Sequence, residues 1–152
     1  MKKHSTKLTA NRQTIILKLG GSVLTEKMSG DMGLVQKNKP AVISADELAA
    51  LLAKAFSNSK IFFATDIEGV FDKFPPSINA QPLSFLPKKK LKRLLKKMNE
   101  QKNQYDVTGG MAGKLKTILV LRKKEVVIFN GLKPGNLTKA LTGKPVGTRI
   151  IL

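Results

Sequence analysis

The 152-residue sequence has no cysteine and no tryptophan, a single histidine, a single tyrosine and only 10 acidic residues. Without cysteine there can be no disulfide and no thiolate metal site, which fits a reducing compartment, and a cytoplasmic location is the expectation. One histidine, His4, excludes histidine-based metal clusters and a Ser-His-Asp triad. It reads as a solvated tail residue. Tyr105 and seven phenylalanines are thin material for stacking nucleic-acid bases. No apolar run reaches the ~20 residues of a membrane span, and the basic N-terminus lacks the apolar stretch of a signal peptide.

The shortage of acids leaves 28 Lys+Arg in excess, a formal charge of +18. Such a chain attracts polyanions: nucleotides, nucleic acid, acidic membrane surfaces. Lysine is also a common solubilising residue, so charge alone names no partner. The length suits one domain that buries about two-thirds of its unfolded surface. The expected division is a basic tail over residues 1–13 and a single domain over 14–152.

Thr14 to Leu19 is a β-branched and apolar run ended by Gly20-Gly21, a buried strand feeding a tight turn. Residues 26–40 show no periodicity and read as loop. Ser44 and Glu47 have capping-box spacing. Leu48, Leu51, Leu52, Ala55 and Phe56 then form one apolar helical face, expected to be the buried one. Residues 61–65 read as a strand closed by the turn Asp66-Ile67-Glu68-Gly69. Pro75, Pro76, Pro82 and Pro87 mark an irregular connection. Residues 88–101 form a second amphipathic helix. Its stripe is Leu91, Leu94, Leu95 and Met98, and lysines and Arg93 load the rest. Met111, Leu115, Ile118 and Leu119 mark a third helix. A strand over 125–129, a short helix over 134–141 and a last strand over 146–152 complete the chain. Strands alternating with helices predict an α/β fold with a mainly parallel sheet.

Three glycines and a lysine crowd residues 106–114, Asp-Val-Thr-Gly-Gly-Met-Ala-Gly-Lys, just before a helical pattern. Glycine lets backbone approach an anion closely, and a helix start aims N–H groups and partial positive charge at it. Lys114 can add a full charge. Lys18 and the Gly20, Gly21 and Ser22 backbone make a second candidate phosphate cradle at a strand end, where α/β sheets bind ligands. Asp46 lies in the first turn of its helix. An acid there complements the macrodipole; it can also hold two lysines in place. Asp66 and Glu68 bracket a turn. The Walker pattern is absent: Leu115 follows Gly113-Lys114, and Thr108 stands where its first glycine would be.

Together, Ile16-Leu17-Lys18-Leu19-Gly20-Gly21-Ser22-Val23-Leu24-Thr25, Ile43-Ser44-Ala45-Asp46, Ala64-Thr65-Asp66-Ile67-Glu68-Gly69-Val70-Phe71-Asp72, residues 106–114, and Asn130-Gly131-Leu132-Lys133-Pro134-Gly135-Asn136-Leu137 with Gly147-Thr148 near the end resemble the amino acid kinase family. Within it the likeness is to the isopentenyl phosphate kinases. The resemblance implies a three-layer α/β/α sandwich and ATP-dependent phosphorylation of a small phosphorylated isoprenoid, with Mg²⁺ accompanying ATP. It implies that Lys18 and Lys114 contact the transferring phosphoryl group and that Asp46 orients them. Gly20, Gly21 and Ser22 would cradle phosphate. Asp66, Gly109, Gly110 and Met111 would lie along the nucleotide. Members commonly pair, so a homodimer is a further expectation.

The likeness has a gap. Family members carry a long acceptor-binding segment, with a second glycine-rich loop and a histidine, between the first glycine turn and the motif ending in Asp46. Here residues 23–43 stand in that place and hold no histidine, and Ala45 replaces the motif's glycine. The donor side is kept and the central acceptor segment is missing. The alternative function is a non-catalytic nucleotide- or nucleic-acid-binding protein on the same fold, with the basic helix as a polyanion surface and no sequence specificity.

Overall fold

The computed structural model describes residues 13–20, 34–36, 39–41, 44–73, 76–100 and 110–152. The expected tail over 1–13 lies almost wholly outside them. The elements in order are β1 (Thr14–Leu19), β2 (Leu34–Gln36), β3 (Lys39–Ala41), α1 (Ala45–Ala55), β4 (Ser59–Thr65), β5 (Phe85–Pro87), α2 (Lys88–Glu100), α3 (Gly110–Leu119), β6 (Glu125–Asn130), α4 (Asn136–Leu141) and β7 (Thr148–Ile151). Five strands form one sheet in the order β1-β4-β6-β7-β5. β1, β4 and β6 run parallel, β7 runs antiparallel to β6, and β5 runs parallel to β7.

Strand pleating assigns alternate residues to opposite faces. Ile61 and Phe63 of β4, with Val126 and Ile128 of β6, face a large core built from Ala49, Ala50 and Ala53 of α1, Leu91, Leu94 and Leu95 of α2, and Leu115 and Ile118 of α3. Phe62, Ala64, Val127 and Phe129 face the other way, onto Ala140 of the short α4. Helices thus cover both faces, and the expected α/β/α sandwich with a mainly parallel sheet is observed.

Four readings need correction. The residues expected to form the buried face of α1 are exposed: Leu51 is 54% and Phe56 47% accessible, with Leu48 and Leu52 similar. The alanines beside them are buried instead, because small side chains let α1 lie close on the sheet and α3. Residues 26–40 are not all loop, since β2 and β3 pair as an antiparallel ribbon. In a two-stranded ribbon every strand is an edge, so Pro40 is tolerated in β3. β5 lies within the proline-punctuated connection. Three-residue strands are too short to carry a periodic signal. Finally, the Ser44 hydroxyl accepts from the Asp46 N–H at 3.2 Å, not from Glu47 as the capping-box spacing suggested.

Two polar contacts tie distant segments together. The Lys124 ammonium is buried and donates to the Phe56 carbonyl, to the Ser57 carbonyl at 2.6 Å and to the Ser59 hydroxyl at 2.9 Å. It thereby closes the turn between α1 and β4. The Thr148 hydroxyl accepts from the Val70 N–H at 2.8 Å, holding the loop after β4 against β7.

Gly147 enters β7 with φ +58°, and a Cβ there would lie 2.1 Å from the Ile128 carbonyl oxygen and 2.7 Å from Phe129 Cα. Both obstacles are backbone of a central strand and cannot step aside. Gly147→Ala is expected to cost at least ~2 kcal/mol, from left-handed strain plus overlap. Urea denaturation of the two proteins measures it.

Candidate functional site

Three elements converge near the carboxyl end of β1. Lys18 lies one residue before the end of β1, opposite Phe63 of β4. Asp46 is the second residue of α1, set there by the Ser44 cap, and Lys114 lies on α3. The Lys18 ammonium is 2.9 Å from Asp46 Oδ1, and Lys114 donates to Oδ2 at 2.6 Å. Each carboxylate oxygen thus serves one lysine. The side chains are 17%, 15% and 10% accessible for Lys18, Asp46 and Lys114. Lys114 also sits over the Phe63 ring, 5.0 Å from its centroid, an attraction of cation to ring quadrupole.

Burial alone would raise the Asp46 pKa, but hydrogen bonding and charge from Lys114 and Lys18 outweigh it and hold the carboxyl below its ordinary value. Burial pulls the Lys114 ammonium down, and Asp46 offsets this in part. The group carries two cations against one anion. An ammonium has three N–H donors; Lys114 gives one to Asp46 Oδ2, and Lys18 faces Oδ1 as an ion pair. The remaining donors and the surplus positive charge suit an anion such as a phosphate.

The structure therefore joins the three expected catalytic residues, Lys18, Asp46 and Lys114, in one cluster. The expected nucleotide-contacting residues fare unevenly. Gly21, Ser22 and Gly109 lie outside the described residues. The Gly20 N–H donates to the Ala64 carbonyl at 2.9 Å, so it extends the β1–β4 ladder instead of offering itself to a phosphate. Gly110 opens α3 and is exposed. Met111 packs half-buried against the main core. Asp66 is exposed just past β4, and its carbonyl accepts weakly from Asn130 Nδ2 at 3.5 Å.

A second polar cluster went unread in the sequence. Asn130, at the end of β6, donates to Glu68 Oε1 at 2.8 Å and accepts from the Leu132 N–H at 2.9 Å. Lys133 pairs with Glu68 at 2.9 Å, and Asn136 donates to the Asn130 carbonyl. The loops after β4 and β6 are thereby laced together at the carboxyl ends of two neighbouring strands. The Asn130-Gly131 turn was the visible signal, but a turn residue does not announce a partner 62 positions away.

The amino acid kinase family model matches residues 28–130, and the chain belongs to that family. It is 33% identical over 129 residues to an isopentenyl phosphate kinase of Methanocaldococcus jannaschii, a match covering 84% of this chain and 46% of that protein. It is 32% identical over 120 residues to the isopentenyl phosphate kinase of Methanothermobacter thermautotrophicus, covering 74% and 42%. A crystal structure of isopentenyl phosphate kinase superimposes with a TM-score of 0.53 at 28% identity, over 74% of this chain and 38% of that one. The chain spans less than half the length of the curated relatives it matches.

A depressed carboxylate stabilises the fold above its unfolded pKa, and that contribution is lost as pH falls through the folded value. Asp46→Asn should therefore be less stable than the parent at neutral pH. The gap should close as pH drops below about 4, where the parent carboxylate titrates. Urea midpoints across that range give the difference curve, which separates Asp46 from other depressed carboxylates such as Glu125.

Proposed function

We propose that this chain binds Mg·ATP as a phosphotransferase of its family, with Lys18 and Lys114 on the transferring phosphoryl group and Asp46 as the residue that orients both. The observation that carries this reading is the single carboxylate shared by two largely buried lysines from different elements. Phosphoryl transfer asks little covalent chemistry of the protein; it asks for positioning and for positive charge where negative charge gathers. Two ammoniums held by one anion meet both needs, since neither can swing away when phosphate arrives. Gly21, Ser22, Gly109 and Gly110 would line the phosphates, and Asp66 and Met111 would border the nucleotide. Bound ATP supplies the phosphoryl group. Among the described residues no three His, Asp or Glu side chains gather as a metal site, and both Asp46 oxygens already serve lysines. Mg²⁺ would thus be held chiefly by the phosphates it accompanies.

The acceptor we propose is a small phosphorylated molecule, with isopentenyl phosphate first because it is named in the curated relatives. Turnover is expected to be impaired, because residues 23–43 take the place of the family's acceptor segment and contain no histidine. Donor and acceptor must be held in line, and misplacement of about 1 Å can already cost ~100-fold.

Titration calorimetry with Mg·ATP tests the donor site. Lys18→Ala and Lys114→Ala should each weaken binding about ten- to a hundredfold, the worth of one charge-assisted hydrogen bond, while circular dichroism stays native. Unchanged affinity in both would retire the site.

A labelled-ATP assay tests transfer, with the purified chain alone and isopentenyl phosphate or close analogues. Product is expected at or near background. Saturable turnover that Lys114→Ala abolishes would mean that residues 23–43 build an acceptor site of their own.

A further inference from the structure

α2 carries seven cations, Lys88, Lys89, Lys90, Lys92, Arg93, Lys96 and Lys97, against one acid, Glu100. Glu100 reaches only Lys96, at 4.0 Å. Lys88 donates to the Leu121 carbonyl. Lys89, Lys90, Arg93 and Lys97 have no carboxylate within ion-pair distance among the described residues, and they share one groove. Its floor is apolar, made by Leu83, Pro87 and Leu94, and Asp72 is the acid among its lining residues. Lys89, Arg93 and Lys97 recur every fourth residue, so they form a single stripe with about 6 Å of axial rise between neighbours.

From this we infer that the groove between α2 and the segment leading into β5 binds the sugar-phosphate backbone of single-stranded nucleic acid, without reading its sequence. Charge complementarity is the first ground: a row of unpaired cations at regular spacing faces a ligand with regularly spaced phosphates. Shape is the second. The groove, of about 460 Å³, is a trough that admits a strand, while a bilayer surface is broad and flat. The third ground is what α2 withholds. A helix that binds membranes inserts its apolar face, but Leu91, Leu94 and Leu95 of α2 are committed to the protein core. Among the described residues no aromatic side chain lines the groove, so affinity rests on phosphate contacts and sequence has little effect. This surface is distinct from the Lys18–Asp46–Lys114 cluster and does not depend on the reading given to it.

The test is fluorescence anisotropy with a labelled mixed-sequence single-stranded DNA 12-mer, over a range of salt. The triple variant Lys89→Glu, Arg93→Glu, Lys97→Glu should bind at least about tenfold more weakly than the parent. Each phosphate contact on a single strand contributes about 0.7 to the slope of log affinity against log salt, so the slope should flatten by about two units. A control triple, Lys54→Glu, Lys139→Glu, Lys144→Glu, changes the net charge equally on exposed residues elsewhere and should retain most of the affinity and the slope. The milder Lys89→Gln, Arg93→Gln, Lys97→Gln triple should show the same direction, and it carries the test if the glutamate variant does not fold. Excess ATP should not displace the strand. Equal losses in both glutamate triples would overturn the inference, as would displacement by ATP. So would binding to anionic lipid vesicles with none to the 12-mer, or a marked preference among 12-mers of different sequence.

Discussion

Asp46 is the one anion between two largely buried cations, and the geometry of the site hangs on it. Lys18 and Lys114 approach each other from a strand and a helix that share no local sequence. Without the carboxylate they would repel, and the more buried Lys114 would lose its charge or its place. A buried charge persists when it is paired and hydrogen-bonded. Here the pairing leaves a positive surplus, which costs stability in the free protein and becomes useful when an anion arrives. Asp46 is fixed in turn by the Ser44 cap and by the start of α1. A local hydrogen bond of modest strength therefore governs an arrangement spanning residues 18 to 114.

Much of this was legible beforehand. β1, β4 and β6 announce themselves as apolar, β-branched runs, and the glycines beside Lys18 and Lys114 mark both lysines. Asp46 could be read as their common holder, although its place in the first turn of a helix also had a plain electrostatic explanation. What stayed hidden follows from physics that periodicity does not encode. An apolar stripe says that a helix has a sticky side. It does not say whether the alanines next to it will pack closer, as Ala49, Ala50 and Ala53 do. Lys124 and Asn130 draw their roles from partners more than 60 residues away, and nothing in their neighbourhoods hints at that. Gly20 follows a strand, which points to phosphate-binding backbone, yet the strand's hydrogen bonding runs one residue further.

The described part of the molecule is asymmetric. The side carrying Asp66, Glu68, Asn130 and Lys133 is densely cross-linked by side chains. Beyond β1 the described sheet has no further strand, and the neighbouring α1 turns Leu48, Leu51, Leu52 and Phe56 outward. More than half of each longer relative lies outside the matched region.

That outward face has a practical consequence for the protein in solution. Among the described residues no strand pairs with the outer edge of β1, and Ile15 and Leu17 are exposed on it, beside a helix that shows leucine to water. Such edges promote self-association. The opposing force is the net charge of +18, which keeps copies apart at low ionic strength. Screening shortens the reach of that repulsion to about 3 Å at 1 M salt, while apolar attraction persists. Two opposing features thus sit at different places on the surface: a net charge whose repulsion salt screens, and an apolar edge whose attraction salt leaves in place.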